Sequence, residues 1–394
     1  MSGIVLDITR LLSRVLHPTP TGVDRVEMAY ARGLLAAVPD RLSFAAVHPS
    51  GLYGRLPRAA VVRFLDATEQ RWRDEGLGTQ SLRLFAAKAL LSLRPRLAKA
   101  AEKSIYLQPS PNNLIKPALM RAFLKRENAK LVCLVHDLIP IEYPEYARPG
   151  GADLHARRMW TMVSLSEGII ANSRATLDAL DPWLERAGRR PETVVAHLGT
   201  DIEPSVESHR SDRPYFVCVG TIEPRKNHLL LLHLWRTMVE RRGAEAVPKL
   251  VLIGRRGWEN EQVIDLLERC PALQNCVEEH TGLPDRKVQA MIAGARGLLL
   301  PSFAEGYGMP VTEALALGVP VLCSDLPALR EAGGNVPLFL DPLDGPAWQR
   351  AIDDLTAPDS AERQAQAQRL VDWRAPTWPQ HIAIVLDLLH KLTA

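Results

Sequence analysis

The sequence predicts an α/β protein of two doubly wound domains, each a parallel sheet covered by helices on both faces. Three observations carry this. Short continuous apolar runs alternate with helix-period segments along the whole chain, the pattern of strands buried on both sides. The alternation halts at a polar, aperiodic stretch, "DIEPSVESHRSDRP" (201–214), and restarts beyond it. A length of 394 residues also exceeds what one core usually encloses.

In chain order, the strand candidates of the first half are "IVLDI" (4–8), "LSFAAV" (42–47), "SIYL" (104–107), "KLVCLVHD" (130–137), "GIIANS" (168–173) and "TVVAHL" (193–198). The second half offers "YFVCVG" (215–220), "KLVLIG" (249–254), "ARGLLLPS" (295–302), "VPVLCS" (319–324) and "VPLFL" (336–340). Each run is short, apolar and rich in Val, Ile and Leu, and polar or helix-period sequence bounds it. The economical division is an N-terminal domain over 1–205 and a second over 206–375. The segment "WPQHIAIVLDLLHKL" (378–392) has helical periodicity, so 376–394 is expected to pack back towards the N-terminal domain. No internal repeat or low-complexity tract interrupts this plan.

Composition narrows the function. Hydrophobic residues at 46% and charged residues at 24% describe a folded chain, and a net charge of +3 does not point to nucleic acid. No apolar run reaches the roughly 18 residues of a membrane span. "MSGIVLDITRLL" lacks the layout of a signal peptide, because Asp7 and Arg10 interrupt it. Cys133, Cys218 and Cys323 sit inside apolar runs and read as buried, reduced thiols; with Cys270 and Cys276 they form no C-x-x-C pair. A cytoplasmic protein is expected.

In open parallel sheets ligands bind beyond the carboxyl ends of the strands, so the strand ends carry the chemistry. "VGTIEPRKNH" (219–228) follows the first strand of the second domain. Gly220 permits close backbone approach, and Arg225 and Lys226 stand just before the helix-period run "HLLLLHLWRTMV". Two cations at a helix N-terminus oppose its macrodipole unless an anion joins them, and a diphosphate would supply one. "FAEGYGMPVTEALALGVPV" (303–321) repeats the logic after a later strand. A glycine loop turns into a helix running from about Val311 to Leu317, with Glu305 in the loop and Glu313 in the first helical turn. The amides from Tyr307 to Thr312 would face a ligand. A carboxylate can accept from two neighbouring hydroxyls, so each glutamate suits a vicinal diol. Glu313 alone would also serve as ordinary dipole compensation. Glu305 beside glycines has no such explanation.

The pattern E-G-[aromatic]-G-x-x-x-x-E, following "VGTIEPRKN", resembles the retaining glycosyltransferases of family 4, which have the GT-B fold: two Rossmann-like domains facing a central cleft. The resemblance covers nearly the whole second domain, including "SDLPALREAGGNVPLFLDP" (324–342). It implies a hexosyltransferase that uses a nucleoside diphosphate sugar. By it Arg225 and Lys226 neutralise the donor diphosphate, and Gly220 lets its backbone approach. Glu313 takes the ribose hydroxyls. Glu305 takes hydroxyls of the transferred sugar, with the amides of Gly306, Tyr307, Gly308 and Met309 alongside. Thr312 lies against the phosphates, and "HTGLPD" (280–285) reads the nucleobase through backbone near Leu283. In the first domain, His136 of "VCLVHDLIP" (132–140) lies by the donor sugar. Gly22 of "TPTGVDRVEMAYARGLL" (19–35) brings a loop towards phosphates and acceptor, although this chain has one glycine there and not the usual pair.

Outside the resemblance, a strand-end His136 also fits a structural loop cap. Asp137 can brace its loop, and Asn172 and Ser173 of "ANSRAT" (171–176) can cap the next helix. Thr21 and Asp24 make a capping-box-like start, with Val23, Val26, Tyr30 and Leu34 on one face.

The resemblance further implies retention by a front-face route, in which the leaving phosphate oxygen takes the acceptor proton and no side-chain base is required. Arg225, Lys226 and the helix terminus stabilise charge on the diphosphate, and domain closure excludes water. The chain has no D-x-D motif, so no cofactor and no metal are expected. "VGTIEPRKN" looks most like bacterial polysaccharide mannosyltransferases, which puts GDP-mannose first and UDP- and dTDP-sugars after it. The acceptor is then a growing, lipid-linked polysaccharide or oligosaccharide. The segment 79–103 holds six Lys/Arg against one acid. It reads either as a helix resting on the inner face of an anionic membrane or as a solvated face, with Pro95 breaking the pattern.

Three other functions compete. A nicotinamide dehydrogenase needs an early G-x-G-x-x-G, and in "GYGMPV" Val311 replaces the third glycine and Pro310 intrudes. A sugar-nucleotide epimerase of GT-B shape would convert donor without acceptor. A non-catalytic binding partner could keep the fold.

Overall fold

A computed structural model describes the chain except for residues 1, 49–50, 74–78, 97–102, 203–205 and 394. It contains two compact units. The first comprises Met1–Glu142, Pro149–Gly199 and Thr377–Ala394; the second comprises Tyr143–Arg148 and Thr200–Pro376.

The first unit holds a seven-stranded sheet, with β1 (Gly3–Asp7), β2 (Leu42–Val47), β3 (Tyr53–Leu56), β4 (Ser104–Gln108), β5 (Ala129–Val135), β6 (Ser166–Ala171) and β7 (Glu192–Val195) in the order β3-β2-β1-β4-β5-β6-β7. Every pairing is parallel except β2 with β3. The second unit holds β8 (Tyr215–Val219), β9 (Lys249–Ile253), β10 (Val277–His280), β11 (Gly297–Leu300), β12 (Val321–Ser324) and β13 (Leu338–Leu340), all parallel, in the order β10-β9-β8-β11-β12-β13.

The apolar runs are continuous because both faces of each sheet are covered. Along β8, Phe216 and Cys218 pack with Trp235 and Trp348, whereas Tyr215 and Val217 pack on the other side with Met291 and Val311. Along β9, Leu250 and Leu252 take the first face, Val251 and Ile253 the second. Each fully buried aliphatic side chain contributes roughly 1.5–3 kcal/mol, which makes a polar residue inside these runs expensive. All five cysteines are free, and all but Cys270 are buried.

The unit boundary falls between Gly199 and Thr200, earlier than 205, which itself lies outside the described residues. Tyr143–Arg148 groups with the second unit, although its place in the sequence suggested the first. The reason is local: the Tyr146 ring stacks on Phe303, and Trp258 Nε1 donates to the Tyr146 carbonyl at 2.9 Å. The last helix, Trp378–Lys391, groups with the first unit. There His381 Nδ1 meets the His197 carbonyl at 3.0 Å, and Nε2 meets the Tyr30 hydroxyl at 2.8 Å. A carbonyl only accepts, so Nδ1 carries the proton and Tyr30 donates to Nε2.

Candidate functional site

In the second unit the crossovers from β8 run one way along the sheet and those from β11 the other, so the two neighbouring strands form its switch point. Their outgoing loops, 220–227 and 301–308, are therefore brought together by topology alone. Gly220 starts the first loop at φ +148, and its N–H donates to the Ile253 carbonyl at 2.9 Å. Lys226 ends it.

Lys226 Nζ donates to Glu305 Oε1 at 2.6 Å, and Arg225 Nη1 stands 3.0 Å from Glu305 Oε2. Ser302 Oγ donates to Glu305 Oε1 at 2.7 Å. Arg225 also holds Glu223 Oε1 through Nε and Nη2, at 3.0 and 2.7 Å, and donates from Nη1 to the Ala304 carbonyl at 2.6 Å. Burial alone would raise the Glu305 pKa. The charges of Lys226 and Arg225, with hydrogen bonds from Lys226 and Ser302, outweigh it and hold Glu305 down to about 2. The anion that the two cations require is thus supplied by the chain itself. Lys226, Arg225, Glu223 and Glu305 sum to zero charge, which corrects the expectation that an incoming diphosphate must balance the cations.

The helix after the loop is Met309–Ala316, so it starts earlier than Val311, and Glu313 is its fifth residue, past the first turn. Dipole compensation in a first turn therefore does not account for Glu313. Gly308 caps the helix at φ +108, where a Cβ would also lie 2.5 Å from Leu329. Pro310 has no N–H, and the Val311 N–H is bonded to the Gly308 carbonyl at 2.9 Å. The row of amides open to a ligand is therefore shorter than Tyr307 to Thr312. Thr312 is buried and donates to the Met309 carbonyl at 3.0 Å, and Tyr307 packs its ring in the interior. Gly306 and Met309 remain half-buried at the loop surface. Leu283 is half-buried beyond β10 and follows Gly282, which holds φ +72.

In the first unit His136 directly follows β5. Its Nε2 meets the Pro109 carbonyl at 2.7 Å, and its own carbonyl accepts from Asn172 Nδ2 at 2.8 Å. Burial lowers its pKa, so the neutral ring donates from Nε2 to that carbonyl. Asp137 braces the turn by accepting from the Ile139 N–H at 3.2 Å. Ser173 caps the helix Arg174–Ala187 through the Thr176 N–H at 3.0 Å. Gly22 opens the helix Gly22–Ala37, whose Thr21–Asp24 capping box is formed; Val26, Tyr30 and Leu34 are buried along it, and Val23 is half-buried.

Residues 200–369, which contain this switch point, match the family of glycosyl transferases group 1. Over nearly its whole length the second unit is similar to that family. Over 165 residues the chain is 34% identical to the O-antigen chain mannosyltransferase B of Escherichia coli, covering 42% of each. It is 26% identical to the serotype-specific mannosyltransferase WbdA of Escherichia coli over half of this chain and 26% of that one. It is 28% identical to the O-antigen chain mannosyltransferase RfbU of Salmonella typhimurium over 62% of this chain and 70% of that one. The chain thus spans less than half the length of the first two of these relatives. Among solved structures, a sucrose-phosphate synthase from Thermosynechococcus elongatus superposes with a TM-score of 0.67 at 15% identity, covering 100% of this chain and 99% of that one. Anabaena HepE in complex with UDP and glucose superposes with a TM-score of 0.63 at 18% identity, covering 98% and 100%. The chain has the GT-B fold and resembles bacterial polysaccharide mannosyltransferases.

Four residues of the second unit escape a reading of motifs. Ser302 and Glu223 complete the charge cluster; their only signal is a place at or just past a strand end. Gly254 directly follows β9, where a Cβ would stand 1.8 Å from the Gly220 carbonyl oxygen, so the close approach of the two backbones needs glycine at 254. His228 is buried beside Lys226, and among the described residues neither of its ring nitrogens has a hydrogen-bond partner. Burial, reinforced by the Lys226 charge, keeps its imidazole neutral, with a pKa of about 3.

Proposed function

We propose that the chain is a retaining hexosyltransferase, taking a hexose from a nucleoside diphosphate sugar, GDP-mannose first, to a growing lipid-linked poly- or oligosaccharide. The observation that carries this is the Lys226–Glu305–Arg225 cluster at the switch point of the second unit. Lys226 gives one of its three N–H groups to Glu305, and the other two suit the donor phosphates. Of about four acceptor positions on a carboxylate, Lys226, Arg225 and Ser302 engage three, so Glu305 has room for one hydroxyl of the transferred sugar and not for a diol. Arg225, fastened to Glu223 and Ala304, acts mainly as the strut that fixes Glu305. Glu313 takes the ribose, backbone near Leu283 the base, and Gly306 to Met309 line the sugar and phosphates. His136 and Gly22 serve the same reaction from the first unit.

In the transfer the bond from the anomeric carbon to the phosphate oxygen breaks, and the acceptor hydroxyl bonds to that carbon from the same face. Its proton passes to the leaving phosphate oxygen. Lys226 stabilises the charge that develops there in a site shielded from water. No metal is required in this scheme, since the ammonium takes the position a divalent ion would hold.

The acceptor side brings in a membrane. No helix among the described residues is long and apolar enough to cross one. The helix Thr79–Ser92 leaves Leu84 and Leu91 64% and 63% exposed, one above the other, with Arg83 and Lys88 exposed beside them. Pro95 lies beyond its end and does not break it. The cations of 79–103 are not all on this helix, and residues 97–102 lie outside the described residues. An apolar stripe flanked by cations suits the surface of an anionic bilayer, where a lipid-linked acceptor would be met.

A thermal-shift screen of nucleoside diphosphates and their sugars, with and without EDTA, tests the reading. One base should stabilise the protein by roughly 5 °C or more at a hundredfold excess over Kd, with chelator present or absent. No shift with any nucleotide would overturn it.

A further inference from the structure

A file of aromatic rings leads away from the charge cluster. Phe303 lies two residues before Glu305, and its N–H is held by the Arg225 carbonyl at 2.8 Å. Tyr146 stacks on Phe303 with centroids 5.7 Å apart and planes 10° from parallel, and Tyr143 stacks on Tyr146 at 5.9 Å and 24°. At these spacings the rings are offset like treads, so each leaves part of a face uncovered. The segment is secured from behind: Trp258 donates to the Tyr146 carbonyl, and the Arg148 guanidinium lies 4.8 Å from the centre of the Trp258 ring. Fastening explains Tyr146 and Arg148. It does not explain Tyr143, which ends the file 40% exposed.

We propose that Tyr143 and Tyr146 form a stacking subsite for a hexose ring of the acceptor saccharide. This rests on the hexosyltransferase reading and adds to it where the acceptor is held. A pyranose presents a flat array of C–H groups that packs on an aromatic face, and its hydroxyls reach past the ring edge to polar neighbours. Glu145, exposed between the two tyrosines, offers an acceptor for those hydroxyls and disfavours an anionic ligand. Position argues for sugar over base. The file starts beside Glu305 on the loop after β11, whereas the turn at Leu283 follows β10, three strand positions away in the sheet, or roughly 14 Å at the usual strand spacing.

The test uses the full chain and a soluble α-linked mannotetraose, observed by saturation-transfer NMR and titrated for affinity without nucleotide. Wild type should bind it, with saturation reaching the C–H protons of one hexose. Tyr143→Ala should weaken binding roughly 3- to 10-fold, and Tyr143→Trp should keep it. Stabilisation by nucleoside diphosphate should be the same in all three proteins, which also shows that they are folded. Equal affinity of Tyr143→Ala and wild type, or no binding by wild type, would overturn the proposal. So would a loss of nucleotide binding in Tyr143→Ala, which would give the face to the donor. Failure of wild type to respond to any nucleotide would instead strike the underlying hexosyltransferase reading, and the saccharide titration is read independently of it.

Discussion

Lys226 Nζ and Glu305 Oε1 lie 2.6 Å apart although 79 residues separate them in the chain. The pair exists because β8 and β11 are neighbours at the point where the sheet's winding reverses. Both side chains are more than nine-tenths buried, so each is costly without the other. Lys226→Met should weaken nucleotide binding and destabilise the second unit by roughly 3 kcal/mol. Glu305→Gln should keep nucleotide binding and lower turnover at least tenfold. Calorimetric titration and initial rates on both variants separate the two effects; normal activity in Lys226→Met would contradict the assignment.

Gly220 and Gly254 set the path of the loop that delivers Lys226. Gly254→Ala drives a Cβ against backbone, at 1.8 Å from the Gly220 oxygen, and should destabilise by about 3 kcal/mol or prevent folding. Gly220→Ala meets only the flexible Lys226 side chain, Cε at 3.2 Å, but places alanine at φ +148. That variant should fold, with a lower midpoint in urea and a weakened nucleotide affinity. The order of the two urea midpoints checks the claim.

Glu305 in the second unit and Glu27 in the first should give stability opposite dependences on pH. The ordinary pKa of Glu305, 4.5, falls to about 2 in the fold, so its contribution is complete above pH 4.5 and is lost as the pH drops towards 2. In the first unit, burial, with the charge of Asp7 adding to it, raises Glu27 from 4.5 to about 8. Between those values the folded chain holds a proton that the unfolded chain has released. Stability therefore falls as the pH rises through that window, by at most about 1.4 kcal/mol per pH unit for this one group. Urea melts between pH 6.5 and 8, above the window in which His381 titrates, should show the slope in wild type and a flatter one in Glu27→Gln.

The Tyr30–His381 contact ties the last helix to the first unit. Burial holds the His381 pKa near 4, below its usual 6.5, so the neutral ring is required and the contribution is lost as the pH falls from 6.5 towards 4. His381→Phe leaves the Tyr30 hydroxyl buried without its acceptor and should cost about 1–3 kcal/mol. This variant should also be free of the loss of stability that His381 causes as the pH falls through that range, leaving the opposite slope of Glu27.

Much of this architecture was legible because buried parallel strands announce themselves. Every run read as a strand became one within a few residues. The two strands that were missed are both edges: Tyr53–Leu56, antiparallel, and Val277–His280, "VEEH", whose residues are all half-buried. An edge strand covered on one side needs no apolar run, so composition hides it. At the site, the glycines and charges of "VGTIEPRKN" and "FAEGYG" were readable, but not that Lys226 and Arg225 would face Glu305. That contact depends on which strands are neighbours, and sequence order does not give it. For the same reason Ser302, Glu223 and Gly254 carried no signal beyond a place at or just past a strand end, and Tyr143–Arg148 gave no sign of joining the second unit.

The central claim is transfer with retention, and one experiment reaches it directly. The purified full chain is incubated with GDP-, UDP- or dTDP-hexoses and an α-mannoside acceptor, with EDTA present, and the anomeric protons are followed by NMR. The account predicts release of one nucleoside diphosphate and growth of an α-linked product, first with GDP-mannose. A β-linked product, a change in the donor sugar without acceptor, or no reaction with any donor would contradict it.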